Sequence, residues 1–409
     1  MDTSNPTFGR SPLFDLSRRS FIANTALGIA GLAVALPARA DLLGTSALDS
    51  FLMDQMRAGM MPGLAIGVAR HGHVIFAKGY GLADIAGTRP VTVDSMFHIA
   101  SVTKTVTATG IMMLVEEGLV ALDDPIERYL DFRVTNAAAP QDGITVRQLL
   151  MHTSSISDET YYNSEFRTFG RDTPIPLDDF LRDYLVAGGA YYSAGGSFYN
   201  RAPGAAYDYS NVGYGLLGYL GGRIVGGDFR TYLSERLFDL LDMRHMSWTI
   251  AGVPEPLRVT PYDVTDEGPI PTAPVGFPDW ATGMLRTSIS SFMPFVAAAA
   301  NGGASDRARM LGKASMSQML DMATPRGLPP WLTGQGLGWA ESADGSTRHI
   351  NHWGGDPGVF TAAYLDPASR TGIAIFSNAT ASNASKTAIK TIARHLLTAA
   401  GSTSPGGDI

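Results

Sequence analysis

Ser101-Val102-Thr103-Lys104 sets a hydroxyl and an amine three residues apart. On a helix, side chains at that spacing are neighbours, with about 5–6 Å between Cβ atoms. A helix start adds free backbone N–H groups and the positive end of the dipole, both suited to a developing oxyanion. A partly buried lysine loses its proton near neutral pH and can act as base toward the serine. The pair has the parts of an activated nucleophile. Alone, the same spacing also arises from an N-cap serine beside a solvated lysine, so it needs partners elsewhere in the chain.

Two later segments could supply them. In Tyr209-Ser210-Asn211, a phenol beside cationic groups can have its pKa lowered and carry protons. The Asn211 amide can hold a substrate carbonyl and the Lys104 amine at once. His352-Trp353-Gly354-Gly355-Asp356-Pro357-Gly358 reads as a strand running into a tight turn. Its glycines permit close backbone approach, so this edge could lie along a substrate and donate an N–H to it.

The elements that must position these segments follow from apolar periodicity. Residues 63–69 and 74–77 read as a hairpin closed at His71-Gly72-His73,. Met96 to Ala100 leads into a mostly buried helix that begins near Ser101 and stops at Gly118. From about 120 to 305 the pattern is mainly helical, broken by Pro- and Gly-rich loops at 195–206 and 252–279. Strands return at 336–340, 349–352, 360–365 and 371–377, and a helix over about 382–399 closes the chain. The expected fold is α/β: an antiparallel sheet flanked by helices and completed by both chain ends. Its sheet domain takes 41–118 and 306–398, a mainly helical inserted domain takes 119–305, and 399–409 is a loose tail.

Composition narrows the chemistry. The 409 residues, 45% apolar and 17% charged, can bury a large core,. The chain has no cysteine, which excludes disulfides, thiolate metal sites and cysteine nucleophiles. A net charge of −7 gives no basic surface for nucleic acid,. At the N-terminus, Arg18-Arg19 precedes an apolar run over 23–36 and the small residues Ala38 and Ala40. Residues 1–40 therefore read as a twin-arginine-type signal peptide, and the expected location is periplasmic, with no membrane span in the mature form. No G-x-S-x-G or phosphate-loop motif occurs. His71 and His73 lack metal partners, no metal or cofactor is expected, and His152 is expected to support the cleft by hydrogen bonding.

The three segments, in this order, resemble the signature of the serine β-lactamase and penicillin-binding-protein superfamily. The resemblance spans roughly 55–398 and includes Pro62-Gly63, residues 114–118, Leu149-Leu150-Met151-His152-Thr153-Ser154, Gly336-Leu337-Gly338-Trp339 and Phe376-Ser377-Asn378. It is nearest to the class C β-lactamase, D-peptidase and family VIII esterase branch. It implies that Ser101 is the nucleophile, Lys104 its activating neighbour and Tyr209 a proton carrier, all catalytic. Asn211, His352, Trp353, Gly354 and Gly355 would bind substrate, and the backbone N–H groups of Ser101 and Gly355 would form the oxyanion hole.

Where β-lactamases and D,D-peptidases generally carry Lys-Thr-Gly, this chain has His352 and Trp353. A histidine is largely neutral above about pH 6.5, and an indole offers one N–H and a large apolar face. Both changes weaken recognition of an anionic substrate, and Trp353-Gly354-Gly355 resembles the W-G-G element of family VIII esterases. Ten of the 15 tyrosines fall between Tyr161 and Tyr219, where they either line the cleft or pack the helical region. The expected function is an exported serine hydrolase that cleaves small carboxylic esters through an acyl-serine. The alternatives are an amide or peptide hydrolase of the same mechanism (D-aminopeptidase, D,D-carboxypeptidase or β-lactamase) and a penicillin-binding sensor that acylates without turnover.

Overall fold

The computed structural model describes residues 45–344 and 347–401. The expected signal segment and most of the expected tail lie outside these residues. The centre is one antiparallel sheet of eight strands: β1 (Gly63–Arg70), β2 (His73–Asp84), β3 (Arg89–Pro90), β4 (Gly334–Gln335), β5 (Ala340–Asp344), β6 (Thr347–Asp356), β7 (Val359–Asp366) and β8 (Thr371–Ser377). Their spatial order is β4-β5-β6-β7-β8-β1-β2-β3. Strand β1 pairs with β8 from Leu64 opposite Ser377 to Arg70 opposite Thr371. The two ends of the chain thus close the sheet side by side, as the strand pattern at both ends predicted.

The period-2 alternation of β1 and β8 decides what covers each face. Leu64, Ile66, Val68, Ile373 and Ile375 point to one side, where they meet Leu48 and Leu52 of helix α1 (Ser46–Ala58) and Ile389, Ile392 and Leu396 of the C-terminal helix Asn383–Gly401. Ala65, Ala69, Ala374 and Phe376 point to the other side, into the larger core. Small residues there let the helix Ile289–Ala300 approach closely. A Cβ on Gly67 would lie 2.3 Å from the Met293 side chain. This helix falls in the stretch expected to be inserted, yet it packs on the sheet. Its side chains share one continuous core with Leu149, Tyr184 and Leu216 of the helical region. The helical region is therefore a layer on the sheet's core rather than a separately packed body.

Two local expectations need correction. Residues 336–340 do not form one strand: Gly336 N–H bonds back to the Trp339 carbonyl, making a bend between β4 and β5. The closing helix runs to Gly401, into the stretch expected to be tail. Among the described residues, no helix is long and apolar enough to cross a membrane.

Candidate active site

Ser101 lies in a 3-10 turn, Ala100–Val102, that feeds helix α2 (Thr103–Glu116). Ala100 has φ of 44°, a left-handed conformation that costs a non-glycine residue about 1–3 kcal/mol,. Neighbours enforce it. Ile99 N–H donates to Leu285 O, and Thr361 Oγ on β7 donates to Ile99 O at 2.7 Å. The resulting loop leaves the Ser101 N–H without a protein acceptor among the described residues. Lys104 follows one turn on, fully buried. Its Nζ is 3.2 Å from Ser101 Oγ and donates to Asn211 Oδ1 at 2.9 Å and to Thr282 O at 2.8 Å.

Burial drives the Lys104 pKa down to about 7, opposed by the negative charges of Asp279, Asp158 and Asp356,. A neutral amine has two N–H bonds and one lone pair. Two of the three neighbouring oxygens, Asn211 Oδ1 and Thr282 O, can only accept. The lone pair is thereby left to face the one neighbour that can donate, the Ser101 hydroxyl.

The second segment is held by a helix start. Helix α3 (Glu159–Asn163) immediately follows Asp158, and helix α4 (Asn211–Val225) begins directly after Tyr209-Ser210. Ser210 is the N-cap of α4, its Oγ accepting from Gly213 N–H at 3.0 Å,. The Asp158 carboxylate accepts from Asn211 N–H at 2.6 Å, Val212 N–H at 3.2 Å and Ser210 Oγ at 2.8 Å. Burial nevertheless pushes its pKa up to about 6. His152 accepts the Ser210 N–H at Nδ1, 3.1 Å, and stacks on Tyr209 at 4.4 Å between ring centroids, which is the supporting role expected of it. Tyr209 is thus fixed beside Ser101, to which its hydroxyl is hydrogen bonded, with Lys104 Nζ 4.8 Å from the ring centroid. Desolvation raises its pKa well above 10 rather than lowering it, the Ser101 bond only partly opposing this. The phenol is neutral, which suits it to donate or relay a proton rather than to act as a base.

On the third segment, β6 pairs with β5 only as far as Asn351, and beyond it His352–Asp356 pair with β7 alone. One edge of this stretch is therefore open. His352 Nδ1 lies 2.9 Å from the Trp353 carbonyl, so that carbonyl points to the open edge. Ladder alternation then directs the Gly355 N–H the same way. Gly354 abuts the nucleophile loop: a Cβ there would lie 2.4 Å from Ile99 O and 3.0 Å from Ser101 N. The His352 ring is 6.4 Å from Tyr209. Burial and then the Lys104 charge press its pKa to about 3 despite the Trp353 bond, so it is neutral.

The structure brings together Ser101, Lys104, Tyr209, Asn211, His352, Gly354 and Gly355, and it separates Trp353 from them. Alternation turns that indole onto the opposite face of the sheet, where it packs with the Leu48–Ile389 cluster, edge-on to Phe360 at 6.0 Å and under Lys390 Nζ at 4.8 Å. The expectation that Trp353 binds substrate is corrected. The tyrosine-rich stretch is mostly core as well: Tyr161, Phe166, Phe180, Tyr184 and Tyr191 pack ring on ring. Asp158, Asp279, Thr282 and Thr361 were not anticipated from sequence, because each acts through a long-range bond with no motif of its own. Among the described residues, no cluster of three His, Asp or Glu side chains is placed to hold a metal.

A family model described as Beta-lactamase matches residues 48–398. The chain belongs to that family. Among curated relatives, Esterase EstB of Burkholderia gladioli is 31% identical over 229 residues, 52% of this chain and 56% of that protein. Protein flp of Staphylococcus aureus strain MW2 is 25% identical over 228 residues, 56% of this chain and 43% of that protein. The chain spans about half the length of these relatives. Among solved structures, EstCE1, a hydrolase with promiscuous acyltransferase activity, superposes with a TM-score of 0.68 at 18% identity, covering 85% of this chain and 99% of that one. The D-amino acid amidase of Ochrobactrum anthropi SV3 in complex with D-phenylalanine gives 0.68 at 22%, covering 87% and 99%. Both share the fold.

Proposed function

We propose that this chain is an exported serine hydrolase that cleaves neutral carboxylic esters through an acyl-Ser101 intermediate. The observation that carries the reading is the Lys104 cage: two obligate acceptors take the N–H bonds of a neutral amine and aim its lone pair at Ser101 Oγ. The lysine accepts the serine proton as Oγ bonds to the acyl carbon. The carbonyl oxygen gains charge between the N–H groups of Ser101 and Gly355. Collapse breaks the ester C–O bond, the departing alkoxide takes the Tyr209 proton, and the neighbouring Lys104 ammonium returns a proton to the phenolate. Water then adds to the acyl carbon and gives its proton to the same groups; collapse breaks the acyl C–Oγ bond, Ser101 Oγ takes that proton back, and the acid leaves with the water oxygen.

The ester preference is supported by the neutral His352, which offers no cation to a substrate carboxylate, and by the likeness to a relative named as an esterase. Export through residues 1–40 belongs to the same proposal, and cell fractionation of an Arg18→Lys, Arg19→Lys chain reads it directly as loss of the exported pool.

The decisive experiment follows steady-state hydrolysis of 4-nitrophenyl butyrate, a D-amino acid amide and a chromogenic cephalosporin. The ester should turn over fastest, and Ser101→Ala should lower kcat by about 10⁴-fold or more, the scale of losing a nucleophile. Faster turnover of the amide or the cephalosporin would transfer the assignment to an amide hydrolase. A single stoichiometric burst would make the protein an acylating sensor.

A further inference from the structure

Asn211 has two hydrogen-bonding ends, and both are engaged. Its Oδ1 faces Lys104, which fixes the amide's orientation. At Nδ2, the end left over for a substrate, one of the two N–H bonds goes to the hydroxyl of Tyr162 at 2.9 Å,. This contact is built into the local fold. Asp158 clamps the backbone N–H groups of Asn211 and Val212. One helical turn later, on the same face of α3, Tyr162 reaches the side chain of the residue whose backbone Asp158 holds. The neighbouring Tyr161 anchors the helix by donating to Asp279 Oδ1 at 3.2 Å and standing edge-on to the Tyr162 ring at 5.5 Å. Unlike Tyr161, which is buried, Tyr162 is 63% exposed. Its hydroxyl end is nonetheless turned inward, where burial raises its pKa, so the phenol is held at that tip by one neutral hydrogen bond while much of the residue stays exposed.

We propose that Tyr162 is a specificity-determining residue: its hydroxyl takes one of the two N–H bonds of the Asn211 amide and stands beside the other, so the site disfavours acyl donors that bring a second carbonyl to this amide and favours plain acyl esters,. The inference rests on the acyl-Ser101 reading and deepens it. A donor with an amide carbonyl near the scissile ester must share Nδ2 with the phenol or displace it for Asn211 to receive that carbonyl,. A plain alkanoyl ester makes no such demand. Breaking a neutral hydrogen bond and leaving its partner to water is worth roughly a factor of ten in rate.

Two esters with one leaving group isolate the effect: 4-nitrophenyl butyrate and the 4-nitrophenyl ester of N-acetylglycine, with kcat/KM measured on wild type, Tyr162→Phe and Tyr162→Ala. Tyr162→Phe keeps the ring and frees the N–H that Tyr162 holds, so the N-acetylglycine to butyrate ratio should rise about tenfold. Tyr162→Ala should raise it at least as far, and adding Asn211→Leu to either variant should abolish the gain. An unchanged ratio in both variants would overturn the proposal, as would an equal fall for both esters, which marks a merely structural role. If wild type hydrolyses neither ester, the acyl-serine ester reading itself falls, a result distinct from an unchanged ratio.

Discussion

The two walls of the cleft are built in opposite ways. On the nucleophile side, Lys104, Asn211, Asp158 and Ser210 are joined by short side-chain bonds, and nearly every polar atom has a named partner. On the strand side, His352 is neutral and Gly354 and Gly355 have no side chains, so the wall is backbone, shape and one open sheet edge. Side chains set proton affinity chiefly on the first wall, whereas His352, Gly354 and Gly355 of the second contribute position, with the Asp356 charge its one smaller influence on Lys104. A lesion on the first should therefore change pH behaviour, and a lesion on the second should change geometry at constant pH behaviour.

The largest expected effect tests the strand wall. In Gly354→Ala, the new methyl would meet Ile99 O at 2.4 Å, Thr361 Oγ at 2.6 Å and Ser101 N at 3.0 Å. The first and last of these are rigid backbone, so the nucleophile loop must move. A displacement approaching 1 Å at reacting atoms costs about 10²-fold in rate, and kcat should fall by that order with the pH profile unshifted. Gly355→Ala, whose nearest neighbour would be 3.9 Å away, should retain kcat within about threefold. Equal losses in the two variants would show that Gly354 does not hold the strand against Ser101.

The nucleophile wall is tested by titration. Lys104 must be neutral to accept the serine proton, and burial sets its pKa at about 7. kcat/KM for a neutral ester should therefore fall with slope one as pH drops through that value. Asp279 opposes the burial effect with its negative charge. It also steadies the loop that supplies Thr282 O, accepting from Thr282 Oγ at 2.9 Å and from Tyr161. Removing that charge in Asp279→Asn lowers the lysine's affinity for its proton, so the acid limb should move to lower pH. A shift of about one unit is expected from a charge acting through a mostly buried path. The activity plateau above pH 8 measures any disorder introduced in the loop. An acid limb that stays in place would show that Asp279 does not set the lysine's charge.

The same contrast explains what the sequence made legible. The nucleophile wall was readable because its chemistry lies in side-chain types at fixed short spacing: Ser101 with Lys104 on one turn, Tyr209 with Asn211 around the Ser210 cap. The sheet was readable because β1 and β8 alternate large and small apolar residues on opposite faces. The carboxylates that tune the site were not readable. Asp158 lies 53 residues from the Asn211 whose N–H it accepts, and Asp279 lies 175 residues from the Lys104 whose charge it favours, and nothing in their neighbourhoods separates them from solvated acids. Tyr162 was hidden by abundance, one ring among ten in a stretch where most pack the core. The direction of the Tyr209 shift was missed because a nearby cation argues for a lowered pKa, while the depth of burial, which sequence does not show, acts more strongly the other way.

The smallest expected effect concerns Trp353, where motif and geometry part company. Its place between His352 and Gly354 suggests a substrate contact, yet strand alternation sends consecutive side chains to opposite faces. The indole lies with Phe360 and Lys390 against the C-terminal helix. Trp353→Leu keeps an apolar side chain but loses volume, the ring contact and the cation–π contact, the two contacts worth about 1–2 kcal/mol together. Thermal unfolding should detect that loss as a drop of a few degrees in Tm, while KM and kcat for 4-nitrophenyl butyrate stay within about twofold. A rise in KM at unchanged Tm would place the indole in the cleft after all. That outcome would require β6 to slip by one residue beside Ser101, and Gly354 could not then be the position pressed against Ile99.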